Sequence, residues 1–89
     1  MKIKYTSQFK KDYKRVQKQN KDVEKLKSVI EKLSLNEKLE IQFKDHPLSG
    51  EWKIYRECHI APDWLLIYKT TSDTLILARA GSHAELFKM

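Results

Sequence analysis

Two hydrophobic rhythms divide the chain near Gly50. Before it, apolar residues recur every three or four positions; after it they alternate or run together. "KIKY" (2–5) alternates and predicts a short first strand. Phe9, Tyr13 and Val16 follow at helical spacing, with Ser7 as the expected N-cap and Lys10, Lys11, Lys14, Arg15 and Lys18 in the other positions. Asn20 or Asp22 is expected to end this helix and cap the next. Val23, Leu26, Val29, Ile30 and Leu33 form an i, i+3, i+4, i+7 stripe, which predicts a second helix to about Leu35. So short a connection makes the two an antiparallel hairpin. Residues 36–52 carry mixed signals, and the proline and glycine of "DHPLSG" predict a loop.

Beyond Gly50 the period is two. In "WKIYRECHI" (52–60), Trp52, Ile54, Arg56 and Cys58 alternate with Lys53, Tyr55, Glu57 and His59, predicting a strand that Pro62-Asp63 ends. "WLLIYKT" (64–70) is the next strand, "TSD" (71–73) a hairpin turn and "TLILARA" (74–80) the last strand. "GSHAELFKM" reads as a turn or helical stub. Strands joined by short links pair antiparallel. The order is therefore β-α-α-β-β-β: an α+β fold, with a two-helix hairpin packed on one face of a small, mainly antiparallel sheet.

Length adds a bound. A chain of 89 residues is expected to form one domain, 1–89, with a modest core and little room for an internal cofactor, so none is expected. The charged start "MKIKYTSQFKKDYKR" lacks the apolar stretch of a signal peptide, and no apolar run is long enough to span a bilayer. Cys58 is the sole cysteine, which leaves no intrachain disulfide or cysteine-based zinc site and fits a reduced, cytoplasmic setting. It reads as a small buried hydrophobe in a strand.

Charge changes the picture more. The net charge is +6, but residues 1–44 hold 13 Lys/Arg against 6 Asp/Glu, and residues 45–89 hold 5 against 6. All three histidines, 46, 59 and 83, lie in the second half. A basic N-terminal half fits a polyanion or an acidic partner, or simply a solvated lysine face.

Topology brings the remaining polar residues together. His59 and Asp63 flank the turn before the 64–70 strand, and an antiparallel last strand returns Arg79 to that same edge, with His83 just past it. His46 reaches the edge if its loop folds back. Histidines titrate nearest neutrality and can act as base and acid in one reaction, and arginine suits phosphate oxygens. RNA carries its own nucleophile, the 2′-hydroxyl beside each phosphodiester. An enzyme need only take that proton, protonate the leaving 5′-oxygen and neutralise the phosphorane, with no metal required. Taken singly, each residue also has a plain structural role: Asp63 as a turn residue, Trp64 as core, Arg79 as a sheet-face ion pair. Three histidines could bind zinc, although their spacing matches no compact ligand motif.

The motif D-H-x-L-x-G-x-W-K-x-x-R-x-x-H-x-x-P-D-W-L-L-I-Y, then R-x-G-[ST]-H-x-x-L-F, resembles the YafQ branch of the RelE/ParE superfamily of type II toxins. The likeness spans nearly the whole chain, in layout over the helices and in motif over residues 44–87. It implies a RelE-like, microbial-ribonuclease-like fold. It implies an endoribonuclease that cuts mRNA in the ribosomal A site and is neutralised by a cognate antitoxin, with DNA met only through that antitoxin. The family's catalytic and substrate-binding positions fall on His46, His59, Asp63, Arg79, His83 and Phe87, with Trp64 shaping the pocket. On this reading Arg79 contacts the scissile phosphate, His83 is the general acid, and Asp63 or His59 is the base. Phe87 and Trp64 stack on or wall the target base. Lys10, Lys11, Lys14, Arg15, Lys18 and Lys21 track phosphates or meet the antitoxin. Arg56 shares a strand face with Cys58 and is set aside as structural. The competing expectation is a binding module, in which the histidines are incidental and the basic surface joins an antitoxin in a repressing complex.

Overall fold

The computed structural model describes residues 1–87. Its elements are β1 (Lys2–Tyr5), α1 (Ser7–Lys18), α2 (Val23–Ser34), β2 (His46–Pro47), β3 (Arg56–Ala61), β4 (Trp64–Thr70), β5 (Thr74–Gly81) and α3 (His83–Phe87), with 3-10 turns at Ile41–Phe43 and Gly50–Trp52. The five strands lie in the order β1-β5-β4-β3-β2. Only the β1–β5 pairing is parallel. The α+β class, the helix hairpin and the mainly antiparallel sheet are as expected. Among the described residues, no helix is long and apolar enough to cross a membrane.

Local chemistry sets the helix ends. Thr6, not Ser7, caps α1: its hydroxyl accepts from the Phe9 N–H and donates to the Ala78 carbonyl. That second bond ties the cap to β5, which Ser7 cannot do from inside the first turn. Asp22 caps α2 by accepting from the Lys25 N–H. Asn20 and Asn36 end the two helices at φ 57° and 59°. In both places the backbone N–H groups beyond the helix return to its last carbonyls, Lys21 to Val16 and Glu37 to Lys32. Asparagine tolerates this left-handed conformation better than most residues.

Two boundaries differ from the sequence pattern. Residues 52–55 are not strand: Trp52 closes a 3-10 turn, the Tyr55 N–H bonds to the Trp52 carbonyl, and Ile54 is 60% exposed. Alternation there reflects local turn packing of Trp52 on Tyr55, whose rings are 5.5 Å apart. Conversely, the predicted loop contains β2, a two-residue edge strand paired to β3. Proline is acceptable in it because an edge strand needs no donor on its outer side.

The sheet has two different faces. Cys58, Ile60, Trp64, Leu66, Tyr68, Leu75, Leu77 and Ala80 pack against Phe9, Val16, Leu26, Val29, Ile30 and Leu33 of the helices. On the other face Leu65, Ile67 and Ala78 are covered by Leu86 of α3, with Leu48, Trp52, Tyr55 and Phe87 around them. The helices make one face a conventional core. A short C-terminal helix and a loop cover the second only in part, and the polar chemistry gathers there.

Candidate active site

Sheet register builds the site. His46 lies opposite Glu57, Glu57 opposite Ile67, and Ile67 opposite Arg79, so these four positions form one rank across β2, β3, β4 and β5. Cross-strand partners share a face, here the one away from α1 and α2. The neighbouring rank holds His59, Leu65 and Gly81. The register shifts between His59 and Ala61, and such a bulge re-aims side chains at the end of a strand. Above these ranks, α3 presents His83 and Phe87, which one helical turn puts on the same side.

The rings make a continuous row. Centroids are 6.3 Å apart for His46 and His59, 6.0 Å for His59 and His83, 6.4 Å for His83 and Phe87, and 5.9 Å for Phe87 and Trp52. All three histidines thus meet as the sequence suggests: β2 holds His46 beside His59, α3 brings His83, and Phe87 continues the row to Trp52.

Two carboxylates serve this row, and the sequence reading named only one. Glu57 is 5% exposed, with its Oε2 2.9 Å from His46 Nε2 and 3.7 Å from His59 Nε2. A buried carboxylate needs such partners to offset its lost hydration. The signal was present in the sequence: Glu57 and His59 share strand parity, so they had to face the same way. Asp63, by contrast, is exposed. Its Oδ1 accepts from the His83 backbone N–H at 3.2 Å and lies 3.1 Å from His83 Nδ1. Those bonds hold the Asp63 carboxyl below its usual range. With Nδ1 engaged, Nε2 is the nitrogen His83 can offer to a substrate.

Burial lowers the His59 pKa from the ordinary imidazole value. The Glu57 charge opposes this shift, while Lys44, His83 and His46 add to it. His59 is therefore disposed to stay neutral and to accept a proton. Asp63 is disposed the other way, because a carboxyl held acidic is a weak base. Of the two candidate bases, His59 has the electrostatics of a proton acceptor, while Asp63 is hydrogen-bonded to His83.

Arg79 occupies the predicted strand end, but its side chain turns to α1. Its Nε donates to Asp12 Oδ2 at 2.7 Å and one Nη donates to Asp12 Oδ1 at 3.2 Å. It is half-buried, and no partner is recorded for its other Nη among the described residues.

Three expectations need correction. Trp64 does not wall the histidine row: it is 3% exposed and belongs to the helix-side core, with Lys21 over its ring at 5.8 Å. Its strand position alternates it to the other face from Leu65. Arg15 is not a free phosphate-tracking cation, because it bonds to Asp12 and to the Ala80 carbonyl and lies 3.0 Å from Glu85. Lys10 and Lys14 are exposed, but they border a groove of about 720 Å³ whose floor includes Ile3, Tyr5, Phe9, Tyr13 and Ile30. That groove is on the helix side, so Lys10 and Lys14 do not extend the histidine face, while Lys11 is exposed and does not line the groove. Arg56, set aside as structural, donates to Asp45, which also accepts from the Tyr68 hydroxyl at 2.6 Å. This network anchors the residue just before His46.

The same geometry could hold a metal. Ligand atoms of His46, Glu57 and His59 all lie within 4.8 Å of one another. Two imidazoles and a carboxylate suit a first-row divalent ion such as copper or zinc.

Comparison with known proteins identifies the family. Residues 1–88 match the family described as the bacterial toxin of type II toxin-antitoxin system, YafQ. The chain is 49% identical over 87 residues to the mRNA interferase toxin YafQ of Escherichia coli K12, covering 96% of this chain and 94% of that protein. The crystal structure of the E. coli DinJ-YafQ complex superposes with a TM-score of 0.90 at 49% identity, covering 96% of each chain. A copper-bound mutant toxin from Helicobacter pylori superposes with a TM-score of 0.94 at 45% identity, covering 98% of this chain and 99% of that one.

Proposed function

The chain belongs to the YafQ family of bacterial type II toxins, and from that premise we propose that it is an mRNA interferase cutting by metal-independent attack of the RNA 2′-hydroxyl. The observation that carries the mechanism is the pairing of His59 with His83 at 6.0 Å, the second ring held by Asp63. Neutral His59 takes the 2′-hydroxyl proton. His83, oriented through Nδ1, gives a proton from Nε2 to the leaving 5′-oxygen. His46 and Glu57 flank His59, and the buried Glu57 carboxylate adds negative charge beside it. Arg79 offers its unengaged donors to the phosphate oxygens, where charge grows in the transition state. Phe87, next to His83 in the row, offers a face on which the target base can stack.

The partners follow from the same family. The substrate is mRNA positioned in the ribosomal A site, which makes the cytoplasm the place of action. The inhibitor is a cognate antitoxin, and DNA is reached only through it. Lys10, Lys14 and Lys27 rim the apolar helix-side groove, against a single carboxylate, Glu31. That charge favours an acidic, amphipathic segment of the antitoxin. Partner binding and catalysis thus use opposite sides of the protein, and the binding-module reading describes the helix side alone.

The fragment ends test the chemistry. Attack by the 2′-hydroxyl leaves a 2′,3′-cyclic phosphate or 3′-phosphate upstream and a free 5′-hydroxyl downstream. Mapping 5′ ends of mRNA in translating extract should find the latter, and RNA with a 2′-deoxy sugar at the cut should bind without breaking. A downstream 5′-phosphate would mean that water attacks.

His46, Glu57 and His59 would hold a divalent ion, which when bound supplies Lewis-acid polarisation of a phosphate oxygen. In the acid–base scheme an ion held there would compete for the His59 lone pair that must accept the proton. Stripping the toxin with chelator before adding it to magnesium-supplied ribosomes should therefore leave cleavage intact, and a stoichiometric excess of copper over toxin should slow it. Loss of activity on stripping, restored by zinc or copper, would replace the scheme with metal-assisted hydrolysis.

A further inference from the structure

We propose that Asp12, on α1 and outside the histidine row, is a positioning residue that holds Arg79 at the angle the phosphate requires. The inference rests on the reading of Arg79 as the phosphate contact. Asp12 is 1% exposed, the most buried charged side chain among the described residues. Nothing in a helix needs a carboxylate there; an apolar residue would suit the core better. Its two oxygens instead receive four hydrogen bonds: two from Arg79, one from Arg15 Nη1 at 2.9 Å and one from the Ala80 N–H at 3.0 Å.

The reason lies in the edge of β5. β1 pairs with β5 only from Thr74 to Leu77. Past that point the outer edge of β5 has no strand beside it among the described residues, and α1 supplies partners there: Asp12 accepts from the Ala80 N–H, and Arg15 donates to the Ala80 carbonyl at 2.8 Å. A two-pronged carboxylate on an edge strand fixes both the backbone and the guanidinium that springs from it. An arginine gripped through Nε and one Nη loses rotation about its last bonds and presents its remaining nitrogens in one direction.

The hold continues to the proton donor. Arg15 lies 3.0 Å from Glu85, and Glu85 accepts from the Ser82 N–H at 2.8 Å, bracing the first turn of α3 that carries His83. Gly81 makes room for this contact: a Cβ there would stand 2.6 Å from Arg15 Nη2 and 3.0 Å from Glu85 Oε1. Asp12 and Arg15 thus set Arg79 and α3 against one another, though neither touches substrate.

A double-mutant cycle on ribosome-bound mRNA tests this, with rates referred to the folded fraction measured by antitoxin titration. Asp12→Asn keeps the size but turns an amide donor toward donors. It should lower kcat about 10–100-fold with KM unchanged, the scale of a small misplacement of a reacting group. In an Arg79→Ala background the same change should cost no further rate, because the arginine it positions is gone. Equal losses in both backgrounds, or a wild-type kcat for Asp12→Asn, would overturn the proposal. If Asp12→Asn does not fold, Asp12→Glu keeps the charge but displaces the carboxylate that grips the guanidinium; a fall of several-fold in kcat is expected, absent in the Arg79→Ala background, and an unchanged kcat overturns the proposal. A wild-type rate for Arg79→Ala itself is a different failure. It removes Arg79 from the mechanism, whereas a slow Arg79→Ala beside a fast Asp12→Asn removes only the positioning role.

Discussion

Replacing His83 by Gln is expected to lower the cleavage rate by about 10²–10⁴-fold, the usual contribution of a positioned acid or base. The protein should remain folded and still bind its antitoxin. His83 is half-buried on a five-residue helix whose anchor in the hydrophobic face is Leu86, not the imidazole. Glutamine retains size and hydrogen bonding toward Asp63 but cannot deliver a proton. The pH profile separates the two histidines. The acid limb of kcat/KM reports protonation of His59, and its midpoint should lie below 6.5, because burial disfavours the charged ring. The same shift acts on stability with a fixed sign. The unfolded chain binds that proton more readily, so the stability His59 contributes is present above 6.5 and lost as pH falls through its folded value. In His83→Gln the acid limb should stay in place while the alkaline limb, which follows loss of the donor proton, disappears. If the variant kept both limbs and its rate, the donor would be another group.

Particular residues show how far the sequence reached. The α2 stripe and the Leu65–Tyr68 run were readable because burial imposes a period, and the periods differ between helix and strand. The strand start at Arg56 was not, because Trp52 and Ile54 keep the rhythm of a strand while Trp52 in fact packs on Tyr55 and Phe87 from a turn. β2 was hidden for the opposite reason: two residues, one of them proline, form no pattern, and only their pairing to β3 makes them a strand. In the site, His46, His59, Asp63, His83 and Phe87 come together where a motif and a topology both pointed. Glu57 escaped because a glutamate on an alternating strand looks like a solvated one until the sheet buries it. Trp64 took its pocket role from the family resemblance, and Lys10 and Arg15 theirs from residue type; neither says which face of a sheet or helix a side chain takes. Asp12 was invisible altogether, since its partners on β5 are 67 and 68 residues away and the nearby Arg15 reads as an ordinary helix ion pair.

Arg79→Ala is expected to lower cleavage by about 10²–10³-fold, the scale of removing one preorganised donor from a developing oxyanion. It should also destabilise the protein, which the sequence alone did not suggest. A strand-end arginine on an open edge would contribute little to folding, but this one donates two hydrogen bonds to a carboxylate that is 1% exposed. Removing it leaves that charge with Arg15 and the Ala80 N–H, so the loss falls short of a fully orphaned ion. About 1–3 kcal/mol is the range for a buried group deprived of part of its hydrogen bonding. The two effects are separable. Urea unfolding reads the stability, and a shift in midpoint without a change in slope assigns it to the native state. Single-turnover cleavage at saturating toxin, well below that midpoint, reads the chemistry. Lysine at position 79 restores the cation but not the fork, so Arg79→Lys should recover part of the stability and little of the rate. A variant as slow as Arg79→Ala with unaltered stability would place Arg79 on the phosphate but break its tie to Asp12. A destabilised variant with the wild-type rate would leave Arg79 as a structural residue, and the phosphate would need another cation, for which Lys44, close enough to bear on the titration of His59, is the next group to replace.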